Sequence, residues 1–533
     1  MGQISRRSFG KSVISGAIAS SNLCINGPLS SLPPRRANIV FICSDQHSGL
    51  QMMPNAEREE EVRIPNLKRL ASLGVTFTNA YCASPVCAAA RASLMTGRYP
   101  SDLGSYGNGT AFDGHVATWG NHLTRAGYSC WATGKMDLTP DVDLGFQQLN
   151  TSHEHHDRPD ISELFRRPLC YRIDERKDVD GGVGEGGAQD QATLTAGLEF
   201  LRNQSLNPEK PWAAYLGFLQ PHPPFRAPQE YLDLYPPDQV LMPNIPPGYL
   251  ERQHLVFQSL RNFKMLATPL PEERVRRARS AYYGMIVELD GRVGQILSQL
   301  EKMDALQNTL VVYTSDHGEM LGEHGLWLKN VLLEGAARVP LILAGAGLPQ
   351  GKRVDIPVSH VDLVVTLLEL ARIPKPEGLR GDSLLPLITG ESPSRPECVY
   401  AESHSEGNCT GSFMIHKGDW KYIYFSWYGD NLLFNLRDDP GELNNLAGNP
   451  KHSSVLRELH TLLTSRVEPD TITKGGFEKQ DQVLMTAIRE KTANEFYQTL
   501  EGRLGRGQAA ALTDKYYHGA RLSPALFEEE LPA

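Results

Sequence analysis

Four apolar runs, each stopping at a cluster of polar residues, constrain the fold of this chain more than any other feature. ANIVFIC ends at Ser44, Asp45 and Gln46, and YSCWATG ends at Lys135 and Asp137. PWAAYLGFLQ ends at Pro221 and His222, and NTLVVYTS ends at Asp316 and His317. Runs that stay apolar along their length suit strands buried on both faces. Helical patterns lie between them, from Ile64 to Leu73, Ala192 to Asn203, Arg276 to Met303 and Val361 to Ala371. This alternation predicts an α/β fold with a mainly parallel central sheet flanked by helices. Ligands of such sheets bind beyond the carboxyl ends of the strands, where these polar residues fall. An Asp after a strand is commonly a turn or cap residue, but four strand ends in agreement are harder to explain that way.

The residue types at those ends share a chemistry. Asp45, Gln46 and Asp316 offer oxygen ligands, which suit a hard divalent cation such as calcium or magnesium. His317 could add a nitrogen. Lys135 and Lys329 supply positive charge for a tetrahedral oxyanion, and His222 could protonate a leaving alkoxide. The stretch CAAARASLMTGR at 87–98 belongs with them. Its Ala and Leu residues predict a helix over 88–96 closed by Gly97, with Cys87 at the N-terminus, where free N–H groups favour an anion. Arg91 follows four residues later on the same helix face. A buried structural cysteine is the other reading of this stretch taken alone. A metal, cations and a nucleophile together equip a site for sulfuryl or phosphoryl transfer.

The chain has 533 residues, enough for a large core and more than one folding unit. A formal net charge of -9 leaves no footprint for nucleic acid or an anionic membrane, so any positive site is local. Near the N-terminus, Arg6 and Arg7 precede Ser8, Phe9, Gly10, Lys11 and a weakly apolar stretch of small residues, a twin-arginine export pattern. That stretch is too short and mild to span a membrane, and no other segment of the sequence is suited to do so. The expected location is therefore periplasmic or secreted, with the twin-arginine machinery as a partner. Cys398 and Cys409 could pair in an exported protein.

With these residues in view, the chain resembles the formylglycine-dependent sulfatases of the alkaline phosphatase superfamily. Cys87, Ala89 and Arg91, followed by Leu94, Thr96, Gly97 and Arg98, are similar to the sulfatase signature, Ala89 standing where proline is commoner. NIVFICSDQ looks like the first metal-binding strand, and SDHGEMLGEHGLWLKN like the second metal segment, with the sulfate-binding lysine at Lys329. RVPLILAG, HVDLVVTLLELARI, WKYIYF and LLFNLRDDPGELNNLA also match, so the resemblance runs from about residue 36 to 450. It implies that a maturation enzyme oxidises Cys87 to formylglycine, whose hydrate attacks sulfur with one hydroxyl and expels sulfate with the other. It also implies one calcium or other divalent cation held by Asp45, Gln46, residue 87, Asp316 and His317. Arg91, Lys135 and His222 would be catalytic. A cysteine-dependent phosphatase would want arginine six residues after the cysteine, and Ser93 stands there.

One departure accompanies the match. The family usually has Lys-x-His after the strand that ends at Lys135, and this chain has Asp137 in the histidine's place. Asp137 is read as a substrate-facing or proton-accepting residue. The expected activity is hydrolysis of a sulfate ester, with a sulfated carbohydrate preferred because long polar insertions at 151–190 and 223–275 are expected to rim the site. The rivals are a phosphonate monoester or phosphodiester hydrolase of the same superfamily and a non-catalytic binder of sulfated glycans. The expected divisions are a signal peptide and linker at 1–30, a catalytic domain at 36–390, a smaller α+β subdomain at 391–469 and a helical extension at 470–533.

Overall fold

The computed structural model describes residues 36–52, 62–153, 160–165, 170–204, 210–391 and 398–519. The export pattern and the predicted divisions before residue 36 lie outside the described residues.

The four apolar runs are the four neighbouring strands at the heart of the sheet. They are β1 (Asn38–Ser44), β3 (Ser129–Lys135), β5 (Trp212–Gly217) and β6 (Thr309–Ser315). Around them lie β2 (Gly74–Phe77), β4 (Gln147–Ser152), β7 (Leu341–Gly345) and β8 (Lys352–Val354). The sheet order is β8-β2-β7-β6-β1-β5-β3-β4. Every strand runs parallel to β1 except β7, which is antiparallel to both β6 and β2.

Both faces of β1 are covered. Ile39, Phe41 and Cys43 join one apolar core, with Leu363, Val364 and Leu367 of helix α6 (His360–Leu370). Val40 and Ile42 join the other, with Ile286, Leu289 and Val293 of helix α5 (Glu272–Lys302). This double burial is why the runs show no alternation. Other helices of this region include α1 (Pro65–Ser72), α2 (Cys87–Thr96), α3 (Trp119–Arg125) and α4 (Ala188–Gln204).

Register aligns the strand ends. Cys43 pairs with both Gly217 and Thr314, and Ser44 pairs with Ser315. The residues that follow these strands therefore emerge at one edge of the sheet.

A separate antiparallel sheet follows, formed by β9 (Cys398–Ser403), β10 (Ser412–Lys417), β11 (Trp420–Phe425) and β12 (Leu432–Asn435) in that order. Helix α7 (Ser453–Arg466) packs on it through Leu459 and Leu463. Two long helices, α8 (Pro469–Glu490) and α9 (Ala493–His518), complete the described chain. Phe496, Leu500, Leu504 and Leu512 of α9 bury Ile161, Leu164, Phe165 and Cys170, so the extension clamps the insertion that reaches the site. Cys398 and Cys409 are both free thiols. No helix among the described residues is long and apolar enough to cross a membrane.

Candidate active site

Helix α2 lies over the ends of the central strands. All ten of its residues are buried, which explains the three alanines: small side chains let the backbone sit deep in the protein. Gly97 closes it in the left-handed conformation, with φ 66°. Cys87 is its first residue, and the free N–H of Ala88 next to it donates to Asn108 Oδ1 at 3.0 Å.

Around the Cys87 sulfur stand the groups that the strand ends deliver. Lys329 Nζ lies 2.7 Å from Sγ and His317 Nε2 lies 3.2 Å from it. Ligand atoms of Asp45, Cys87, Asp316 and His317 all fall within 4.8 Å of one another, and all four residues are fully buried. Gln46 joins them through a left-handed backbone, φ 69°, which lets its N–H donate to Asp316 Oδ1 at 3.1 Å. Its side-chain amide donates to Glu319, while its Oε1 is buried and accepts no hydrogen bond. An orphaned oxygen beside two carboxylates and an imidazole is the donor set a hard divalent cation takes. The residues present therefore fit such an ion.

Arg91 ties the carboxylates together. Its Nε donates to Asp316 Oδ2 at 2.9 Å and its Nη2 approaches Asp45 Oδ2 at 3.3 Å. Its Nη1 donates to the Lys135 carbonyl and the Tyr215 hydroxyl. Lys135 Nζ sits 2.6 Å from Asp45 Oδ2. Its approach depends on Gly134, whose φ is 79° at a register shift in β3. A Cβ there would lie 2.0 Å from the Gly217 carbonyl oxygen. Burial and the Cys87 sulfur push the Asp45 carboxyl up, but Lys135, His222 and Arg91 outweigh them and carry it below the usual range. Burial and the Asp45 charge raise Asp316. Burial alone would lower Lys329, yet the Cys87 sulfur, Asp45 and Glu406 raise it, so it stays cationic.

His222 is half-buried at the mouth. Its Nδ1 lies 2.7 Å from the Pro223 carbonyl, which can only accept, so Nδ1 carries the hydrogen. Nε2 then faces Lys329 Nζ at 3.3 Å and is the ring atom open to a reacting group.

Asp137 is placed differently. It is fully buried, with a left-handed φ of 51°, and its Oδ2 lies 3.2 Å from Lys135 Nζ. It does not line the cavity described next, so the structure sets it behind Lys135.

The cavity holds about 330 Å³ and opens over Gln46, Lys135, His222 and Lys329. Residues from the 151–190 and 223–275 insertions do wall it, among them Glu163, Arg172 and Lys264. Glu406 and Arg503, the latter from α9, complete that wall. None of these five is assigned to the site by the sequence. They come from distant segments, and no local pattern marks them. Asn108 gives no signal either, whereas Tyr215, a hydroxyl inside an apolar run, is a readable one. Glu402 and His404 lie 3.5 Å apart in a buried position and do not line this cavity.

The comparisons with known proteins agree with this geometry. The family described as Sulfatase matches residues 37–373, and that described as N-sulphoglucosamine sulphohydrolase, C-terminal, matches residues 322–468. The chain is 35% identical over 438 residues to a choline-sulfatase of Rhizobium meliloti (strain 1021), covering 78% of this chain and 83% of the relative. It is 30% identical over 468 residues to arylsulfatase K of Danio rerio, covering 82% of this chain and 85% of the relative. Among solved structures, a phosphonate monoester hydrolase from Silicibacter pomeroyi superposes with a TM-score of 0.69 at 25% identity, over 81% of this chain and 95% of that one. A buried cysteine at a helix start, facing paired carboxylates at the ends of parallel strands, thus sits in a chain that belongs to the sulfatase family of sulfuric ester hydrolases.

Proposed function

We propose that the protein is an exported sulfatase that works through a hydrated formylglycine at position 87, with one divalent cation, calcium in the first instance, held by Asp45, Gln46, Asp316, His317 and residue 87. The observation that carries this reading is the convergence of a lysine, a histidine and two carboxylates on one buried cysteine sulfur. That sulfur stands where the aldehyde oxygens would be. The twin-arginine pattern at Arg6 and Arg7 supports export, which would make the maturation enzyme and the export machinery its partners.

The hydrated aldehyde supplies two hydroxyls, one to attack sulfur and one whose deprotonation releases sulfate. A cation held by Asp45, Gln46, Asp316 and His317 would supply Lewis acidity there. The chain's own residues do the rest. Lys329 and Lys135 draw the sulfate oxygens toward the nucleophile and hold the charge that builds on them. Arg91 keeps Asp45 and Asp316 in place, so neither carboxylate turns toward the incoming anion. His222, in the form that carries a hydrogen on both ring nitrogens, gives the one on Nε2 to the leaving alkoxide as its S–O bond breaks and is left with the Nδ1 hydrogen held by Pro223. Asp137 keeps Lys135 charged and fixed.

A sulfated carbohydrate of small size fits the polar cavity and its charged walls. Phosphonate or phosphodiester hydrolysis is the second reading, favoured by the likeness to the phosphonate monoester hydrolase. The test is expression with a maturation enzyme, mass spectrometry of the peptide around residue 87, and turnover of aryl sulfate against aryl phosphonate. The expected result is an aldehyde or its hydrate and faster sulfate turnover. Full activity with only a thiol at position 87 would overturn the mechanism, and faster phosphonate turnover would overturn the substrate.

A further inference from the structure

The wall of the cavity away from Lys135 carries more carboxyl groups than its cations can pair. Arg172 reaches Asp160 at 2.9 Å and Asp174 at 2.8 Å, and lies 3.7 Å from Glu175. Lys264 is taken by Glu175 at 2.5 Å. Arg503 is taken by Asp160. Three carboxyl groups remain. Glu163 comes no nearer to Arg172 than 3.9 Å, and Asp178 and Glu406 form no ion pair among the described residues.

Two of the three are deeply buried. Glu163 is 3% exposed and lines the cavity, yet its Oε2 accepts no hydrogen bond. Glu406 is 2% exposed and is held by two neutral amides, those of Asn108 and Asn330. These partners also place it: Asn108 caps the helix turn that begins at Cys87, and Asn330 follows Lys329. The carboxyl wall is therefore next to the reacting centre. Burial with the charges of Glu406 and Asp160 pushes Glu163 well above the usual range, and burial with Asp174 pushes Asp178 up to about 6. Carboxyl groups crowd here to the point that Glu163 favours its neutral form, and a bound cation would favour the charged one.

We propose that the substrate's alcohol carries a positively charged nitrogen close to the ester oxygen, and that Glu163, Glu406 and Asp178 receive it while Lys329 and Lys135 receive the sulfate. This rests on the sulfate-ester reading and narrows its substrate. The physical reason lies in what binding does to Lys329. Once Lys329 turns to the sulfate, Glu406 loses the first of the two lysine charges that favour its ionised form and keeps Lys264, which Glu175 already occupies, with the two amides and Glu163. With a neutral alcohol, Glu163 keeps its proton against the Glu406 carboxylate, whereas an ammonium group lets both carry charge and pairs with them. A sulfated amino alcohol and a sulfated amino sugar share this chemistry.

The experiment compares esters that differ only in charge, using the matured full-length protein. Choline sulfate is set against its uncharged carbon isostere, 3,3-dimethylbutyl sulfate, and glucosamine 6-sulfate against glucose 6-sulfate. The expected result is a kcat/KM at least about tenfold higher for the charged member of one pair, as fits a charge-assisted contact. The pair that shows it tells amino alcohol from amino sugar. Glu163→Gln and Asp178→Asn should each shrink the charged-to-neutral ratio several-fold, mainly through KM. Ratios near one in both pairs would overturn the proposal, as would variants that lower both members of a pair equally. Calorimetric titration of the Cys87 protein with choline sulfate and its isostere measures the preference without turnover: equal affinities reject the proposal. Failure to hydrolyse even an aryl sulfate after maturation would instead reject the underlying sulfatase reading.

Discussion

Two of the buried charge clusters among the described residues are built to opposite ends. One surrounds Cys87. The other joins the main sheet to the C-terminal one: Lys421 Nζ of β11 lies 2.9 Å from Glu334 and 2.9 Å from Glu442. Tyr81 donates to Glu334 at 2.9 Å, Arg338 approaches it at 3.4 Å, and the Glu334 N–H donates to Glu442 Oε2 at 2.6 Å. Here two cations face two carboxylates, and each carboxylate has a cationic partner within the chain. At Cys87 they do not close. Lys329 spends its proton on a sulfur, and the Gln46 oxygen accepts nothing. A structural cluster pairs its own groups, while a reactive one holds groups ready for a ligand.

The sharpest way to break this contrast is to remove one charged group from each cluster and ask what fails. Asp316→Ala takes an oxygen ligand from the proposed cation and a partner from Arg91. Turnover should fall by about 10³-fold or more, and elemental analysis should show lost metal, with a melting temperature that shows the fold survives. Unchanged metal content would remove Asp316 from the ligand set.

At the junction the expected failure is of stability. Lys421→Met leaves Glu334 and Glu442 buried without their main cation, a loss on the order of 3–5 kcal/mol. Denaturant unfolding measures it, and the kcat of the protein that remains folded should stay near the original. Adding Glu334→Gln and Glu442→Gln should recover much of the loss. A Lys421→Met protein of normal stability and poor kcat would erase the distinction between the two clusters.

The two clusters also differ in how far the sequence exposes them. Asp45, Asp316 and His317 follow apolar runs whose double burial is written in their composition, and Cys87 and Arg91 sit at helical spacing. The strands and flanking helices lie within a few residues of their expected bounds for the same reason: a strand such as Asn38–Ser44, buried on both faces, has no freedom in its pattern. Lys421 lies inside WKYIYF, Glu334 in the apolar VLLEGAA and Glu442 in a polar stretch, so nothing local announces that three distant residues meet. The short strands Gly74–Phe77 and Lys352–Val354 carry too few residues for a period. The cavity wall is illegible on the same grounds, since Glu163, Lys264, Glu406 and Arg503 are joined only by the fold.

A smaller effect separates roles within the reactive cluster. His222→Ala removes the proposed proton donor, typically worth ~10²–10⁴-fold when the leaving alcohol is poor. A sugar or alkyl sulfate should therefore lose far more rate than 4-nitrophenyl sulfate, whose leaving group needs little protonation. Steady-state kinetics on the two esters decides it, and equal losses would move the role to another group.

The smallest expected effect belongs to Asp137, which combines features of both clusters: it lies beside the reactive groups but is paired like a structural one. Lys135 Nζ is shared between Asp45 at 2.6 Å and Asp137 at 3.2 Å, and Asp137 has no surface on the cavity. Asp137→Asn keeps the shape and removes one of the two counter-charges. Asp45 remains, so Lys135 stays protonated but is held less firmly against the nearby Arg91 charge. Turnover should drop by about tenfold, near 1.4 kcal/mol of transition-state stabilisation, in kcat more than in KM. The loss should be the same for an aryl and a sugar sulfate, because Asp137 acts through Lys135 and touches neither leaving group. Asp137→His, which restores the residue usual at this position, should behave likewise in the ratio of the two esters. A ratio that shifts in either variant would place Asp137 against the substrate, and loss of nearly all turnover in Asp137→Asn alone would make it a proton acceptor for residue 87.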